Sequence, residues 1–201
     1  MPKIYLSPST QENNLYVTGG SEEYYMNLVA DALEPYLRAS GIRFTRNRPE
    51  MTAGQVIRES NAGNYNLHLA LHSNAAPIYG TLQGVDVYHF PGSINGTRAA
   101  EILADNFRVI YLDPALVDTR ATTALGEVDR VRAPAVLIEI AYHDNPEDAN
   151  WIINNIGLIA RTIALSLTEY FDLPFVEPLQ PFSAEVNTES GRGLNLRDRP
   201  S

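Results

Sequence analysis

A chain of 201 residues is long enough for one ordinary domain with a tail, and a domain of that size buries a real core. Hydrophobic residues are 44% and charged residues 19%, which excludes a disordered or membrane composition. A net charge of −9 argues against a nucleic-acid partner, because neutralising phosphates needs a basic face. Membrane insertion is not expected either, since the longest apolar runs are strand-sized. Without cysteine, metal ligands must come from Asp, Glu and the four histidines, His68, His72, His89 and His143.

Ile4–Leu6 reads as a short buried strand, ended by Ser7-Pro8-Ser9. A polar loop runs from 7 to 20 and closes on Gly19-Gly20. Ser21 has the character of an N-cap, with Glu22 and Glu23 in the first turn, where the helix dipole favours negative charge. The helix carries Met26, Val29, Ala30, Leu33 and Leu37 on one face. Pro35 is expected to interrupt it and kink its last turn. Gly41 stops it, and Ile42–Thr45 forms a strand.

Thr52–Ala62 fits a second helix. Strands follow over 67–72 and 84–89, the latter with clean alternation. Residues 94–111 are largely helical, with Asn95 as cap. Pro134–Ile140 is the most apolar strand, and its continuous run predicts cover on both faces. Two helices, or one broken helix, fill 147–171. Strands alternating with helices predict an α/β fold: one catalytic domain with a mostly parallel sheet sandwiched by helices. Three prolines, Pro174, Pro178 and Pro181, mark residues 174–184 as a semi-rigid linker after a domain of residues 1–173.

Three features carry chemistry. His72 ends a buried strand, where ligands of open α/β sheets gather. The bland alternative is a histidine merely hydrogen-bonded at a loop start. Glu139 lies inside an apolar strand, and a carboxylate there is costly unless paired, metal-bound or protonated. Burial lifts such a group toward neutrality and suits it to general acid–base work. A structural ion pair with Arg132 is the competing reading. Glu22 and Glu23 open a helix, where acidic residues most commonly complement the dipole on a solvated turn.

In order and spacing these features resemble the zinc N-acetylmuramoyl-L-alanine amidases of autolysins and phage endolysins. The matches are Leu71-His72-Ser73-Asn74-Ala75, Pro134-Ala135-Val136-Leu137-Ile138-Glu139 and Asn145-Pro146-Glu147-Asp148, supported by 41–46 and 84–88. The resemblance covers residues 3 to 171. It implies a peptidoglycan hydrolase that cuts the amide between N-acetylmuramic acid and L-alanine, using Zn²⁺ as cofactor and peptidoglycan as partner. It implies Glu139 as catalytic acid–base, and Glu22 (with Glu23 as the alternative) and His72 as zinc ligands. His143 and Asn74 are implied as substrate contacts.

One position departs from the pattern. Asn13 stands where the family's first histidine ligand is expected, in the stretch Ser7–Asn14. Catalytic zinc normally has three protein ligands plus water, and a neutral amide oxygen suits harder cations better. Asn13 is therefore the expected third ligand, with His143 as a replacement. His68, four residues before His72 on one strand, is too far away to share its metal and reads as core or second-layer support. The rival readings are a binding module that has lost activity and a zinc peptidase acting on the stem peptide.

The tail, 185–201, resembles the start of a bacterial SH3-type wall-binding domain. Residues 186–188 and 191–201 carry that likeness. The opening Met1–Leu6 has no apolar signal region. An extracellular or cell-wall location is expected, reached by lysis or another export route.

Overall fold

The computed structural model describes residues 1–179. The SH3-like stretch at 185–201 lies outside them, as does the linker beyond residue 179. Six strands form one sheet: β1 (Lys3–Pro8), β2 (Arg43–Arg46), β3 (Leu67–Asn74), β4 (Val85–His89), β5 (Val117–Ala121) and β6 (Ala135–Tyr142). Their order is β2-β1-β3-β6-β4-β5, and every pairing is parallel except β4 with β6. The helices are α1 (Glu22–Ala39), α2 (Ala53–Ala62), α3 (Ile94–Ile110), α4 (Gly126–Asp129), α5 (Pro146–Asn154) and α6 (Ile156–Tyr170). This is the mostly parallel α/β domain expected.

Local chemistry explains most boundaries. The Ser21 hydroxyl accepts from Tyr24 N and caps α1, and Thr52 with Gln55 forms a capping box on α2. At α3 the cap is Ser93 rather than Asn95: its extended backbone lets the hydroxyl accept from Gly96 N, while Asn95 is already inside the first turn. Pro35 does not end α1. Burial of Leu33 and Leu37 on either side outweighs the one missing donor, and the helix stops at Ser40 and Gly41. Strand β5 and helix α4 had no sequence signal. Only Val117 of β5 is buried, and α4 is a single turn.

The two faces of the sheet differ in kind. One face presents Ile4, Leu6, Leu67, Leu69, Leu71, Val136, Ile138 and Ile140 to α1, α3 and α6, in one continuous apolar core. By strand alternation the other presents Tyr5, Ser7, His68, Ala70, His72, Asp86, Tyr88, Leu137 and Glu139. Only the short helices α2 and α4 cover that side, and its apolar clusters are small. The C-terminal edge of β3 and β6 is therefore where polar side chains are both buried and reachable.

No single helix among the described residues is long and apolar enough to cross a membrane. Helices α5 and α6 meet at 75° and bury Ile152, Ile159, Ile163 and Leu167 in the core. Beyond α6 the chain turns at Asp172 (φ 53°) and returns over α1 and α6. Phe175 stacks on Tyr36 at 5.9 Å, Arg161 pairs with Glu177 at 2.7 Å, and Val176 N donates to the Ser40 hydroxyl. The packed body thus runs past Leu173 to at least Glu177, because an aromatic inside the proline-rich stretch has a partner ring to cover.

Candidate active site

Strand register brings the first two residues together. His72 and Glu139 are direct partners on β3 and β6, and Asp86 of β4 follows on the far side of Glu139. Arg120 on β5 neutralises Asp86 through a 2.5 Å contact. The Arg132 pairing considered for Glu139 does not form: Arg132 bonds to Asn61 instead. The Oε2 atom of Glu139 is buried without a hydrogen-bond partner. Burial pushes its carboxyl up to about 7, the Glu22 and Asp86 charges add to the rise, and His72 opposes it.

Helix α1 delivers the third residue. Glu22 is the buried first residue of that helix, whereas Glu23 is only half-buried. Glu22 Oε1 lies 2.8 Å from His72 Nδ1 and accepts a longer bond from Ser73 N. Burial works against the Glu22 charge, yet the imidazole partner and Asn14 hold its carboxyl below the usual range. Burial likewise opposes the His72 charge, but the surrounding carboxylates of Glu127, Glu22 and Glu139 lift it to about 10.

The loop after β1 closes over this pair. Leu15 bridges to Ser21, Glu22 N donates to Asn14 O, and Gly19 and Gly20 make the turn with positive φ. A side chain at Gly20 would strike the Tyr25 ring at 2.7 Å. Tyr16 pins the loop inward by donating to Ser73 Oγ and stacking on His143. The amide of Asn14 donates to Glu22 Oε2 at 2.7 Å and to Gln11 Oε1 at 3.0 Å. The Gln11 amide in turn lies 3.3 Å from His72 Nδ1. Asn13 itself is exposed. The structure thus brings Gln11 and Asn14, not Asn13, against the His72–Glu22 pair, since the loop turns at 11–14 and aims its neighbours inward.

His143 is buried beneath the loop, its Nδ1 held by the Ser73 carbonyl at 2.9 Å. Asn74 sits at the half-buried end of β3, its Oδ1 accepting from Ala75 N. In the Asn145–Asp148 stretch the side chains are used for structure. Asn145 caps α5, and buried Asp148 accepts from Tyr142 N, Gly84 N and the Tyr111 hydroxyl.

One member escaped sequence reasoning altogether. Glu127, on the single turn α4, is buried with Oε1 3.5 Å from His72 Nε2. Its other oxygen accepts from Ser7 Oγ at 2.5 Å and from His68 Nε2 at 2.9 Å, while Ser60 Oγ meets His68 Nδ1 at 2.9 Å. Nothing in the local pattern Leu125-Gly126-Glu127-Val128 distinguishes this carboxylate from a solvated one.

Among the described residues no group of three His, Cys, Asp or Glu side chains is arranged to hold a metal. The donors nevertheless suit a divalent cation. Two ligands of one tetrahedral zinc lie about 3.3 Å apart, given bonds of roughly 2.0–2.1 Å. His72 Nδ1 and Glu22 Oε1, now 2.8 Å apart, need to open by only about 0.5 Å to reach that spacing, whereas the Gln11 atom 3.3 Å from His72 Nδ1 is the amide nitrogen, which donates hydrogen bonds and does not ligate a metal. His72 and Glu22 therefore fit such an ion as two of its ligands, and Gln11 could add only its amide oxygen, a weak zinc donor.

Comparison with known proteins agrees with this fold. No curated protein matches the sequence. The catalytic domain of CwlV, an N-acetylmuramoyl-L-alanine amidase from Bacillus (Paenibacillus) polymyxa var. colistinus, superposes with a TM-score of 0.74 at 16% identity, over 86% of this chain and 99% of that one. AmiC2 of Nostoc punctiforme, also an N-acetylmuramoyl-L-alanine amidase, gives 0.76 at 15% identity, over 85% and 97%. The catalytic domain of CD27L endolysin, which targets Clostridia difficile, gives 0.69 at 20% identity, over 84% and 98%. At these identities the likeness establishes the fold. Residues 9–169 match the sequence model of the N-acetylmuramoyl-L-alanine amidases (Amidase_3), and the chain belongs to that family.

Proposed function

We propose that this chain is a zinc-dependent peptidoglycan hydrolase that cleaves the amide between the lactyl group of N-acetylmuramic acid and L-alanine of the stem peptide. The observation that carries the reading is Glu139, whose Oε2 is buried without a hydrogen-bond partner, in register with His72 and pushed up to about 7. A group titrating there serves as base in one step and acid in the next at neutral pH.

His72 and Glu22 would hold the zinc, and a turned Gln11 side chain would offer its amide oxygen as a weak third donor. When bound, zinc polarises the scissile carbonyl and lowers the pKa of water. Glu139 accepts the proton of the attacking water. The same carboxyl then gives that proton to the alanine nitrogen as the C–N bond breaks, so the peptide leaves as a neutral amine. Asn74, at the half-buried end of β3, would meet the substrate in this reading. The medium of action is the cell wall, outside the cytoplasm.

Purified peptidoglycan digested by the zinc-loaded chain should release stem peptides with a free L-alanine amine, seen by mass analysis. Glu139→Gln should lower that rate by about 10²–10⁴-fold with the fold intact. Cuts within the stem peptide would instead identify a peptidase. Wall binding without any release would identify a binding module.

A further inference from the structure

The chemistry proposed above uses Glu139, Glu22 and His72, and leaves one buried acid unexplained. Glu127 reaches the face of the sheet from α4 and meets three side chains there: Ser7 of β1, His68 of β3 and His72 of β3. Its Oε2 is fixed twice, by Ser7 Oγ and His68 Nε2, and His68 is fixed in turn by Ser60 of α2. The second oxygen, Oε1, has no such duty. It faces His72 Nε2 at 3.5 Å, within ion-pair range but longer than a formed hydrogen bond. His72 Nε2 itself is buried and has no hydrogen-bond partner. Both groups line a cavity of about 340 Å³ walled by Gln11, Leu125 and Leu137.

We propose that Glu127 is a positioning residue for His72: it engages the Nε2 edge of the imidazole and so presents Nδ1 toward Glu22. An imidazole has two edges and turns about its Cα–Cβ and Cβ–Cγ bonds. A single carboxylate, Glu22, fixes one of its atoms but not the plane of the ring. A second carboxylate on the opposite edge fixes the plane, provided that it is itself immobile. Glu127 meets that condition through the Ser7, His68 and Ser60 contacts. Supports of this kind behind a metal-ligating histidine commonly govern metal affinity by about 10–100-fold. The zinc part of the inference rests on the proposed function; the ring-order part stands without it.

The experiment uses the full chain, freed of metal, with nitrogen-labelled histidine, and reads the ring nitrogens of His72 by NMR. A His72→Gln sample identifies those signals. The wild type should give one sharp pair. In Glu127→Gln the His72 pair should broaden or double, as the ring samples more than one orientation. Zinc affinity, measured by competition with a chelator, should fall about 10–100-fold in the same variant. Should Glu127→Gln not fold, Glu127→Asp keeps the charge and shortens the reach, and it should act in the same direction. A purely structural role predicts that only the His68 signals and the melting temperature change; His72 signals identical to wild type would overturn the proposal. A wild type that binds no zinc would overturn the zinc reading instead, leaving the His72 signals to decide the role of Glu127.

Discussion

The two faces of the sheet obey different rules although the same strands build both. Toward α1, α3 and α6 nearly all inward positions are apolar, His89 of β4 being an exception that meets Thr97 of α3, and side chains such as Leu69, Ile138 and Phe107 are fully buried. Toward α2 and α4 the same strands carry Ser7, His68, His72 and Asp86, each buried, and the half-buried Glu139, and most of them lie in hydrogen-bonded networks. The first face supplies the hydrophobic free energy of folding. The second gives up part of that energy to hold charged groups in a dry setting, where their pKa values move toward use. Period-two alternation lets one eight-residue strand such as β3 serve both faces without conflict.

Two substitutions sharpen that contrast. Phe107→Ala on the sealed face should lower stability by about 3–5 kcal/mol, because the large side chain leaves a cavity in a packed core. Tyr5→Phe on the polar face should change stability by less than about 1 kcal/mol, since the Tyr5 hydroxyl is buried without a partner. Urea unfolding of both variants gives the comparison. Equal losses would mean that the polar face is as tightly packed as the other.

Next in size is a pH effect at Glu139. Its folded-state pKa lies near 7, above the ordinary carboxylate value, so the fold prefers the neutral form. Its stabilising contribution is present below pH about 4.5 and is lost as pH rises through about 7. Glu139→Gln removes the buried charge and should therefore stabilise the metal-free chain at pH 8 by about 1–3 kcal/mol, with little effect at pH 4. Melting curves at the two values test this. A variant less stable at pH 8 would show that Glu139 makes a favourable charged contact.

The smallest expected effect concerns the loop over the site. Gln11→His places an imidazole where an amide now faces His72, and should tighten zinc binding at least about tenfold, or about 1.4 kcal/mol. Asn13→His, on an exposed position, should leave affinity within about threefold of wild type. Chelator competition on both variants reads the difference. The reverse ranking would return the third-ligand role to Asn13.

Much of this was legible in the sequence. The apolar run at 134–140 specified a strand covered on both faces, and a single carboxylate within it marked Glu139, because one charge among apolar residues stands out in one dimension. His72 and Glu22 were singled out by their likeness to the amidase motifs, since a strand end or a helix start by itself more often carries an ordinary hydrogen bond or a dipole complement. Ser21 and the capping box at Thr52 fixed the helix starts by local hydrogen bonding alone, which requires no knowledge of the rest of the chain.

Only the tertiary structure decided the remainder. That His72 stands beside Glu139 follows from the pairing of β3 with β6, strands separated by some sixty residues of chain whose register no local pattern records. The loop after β1 sets the Gln11 and Asn14 side chains against the His72–Glu22 pair and not Asn13, while the Leu15–Ser21 bridge and Tyr16 hold the loop in place. Glu127 is invisible in sequence because its helix is a single turn without amphipathic period, and its partners come from β1 and β3. Sequence determines which residues are costly to bury; three-dimensional packing determines which of them meet, because charge and hydrogen bonding act through distances of a few ångströms that the chain reaches only after it has folded.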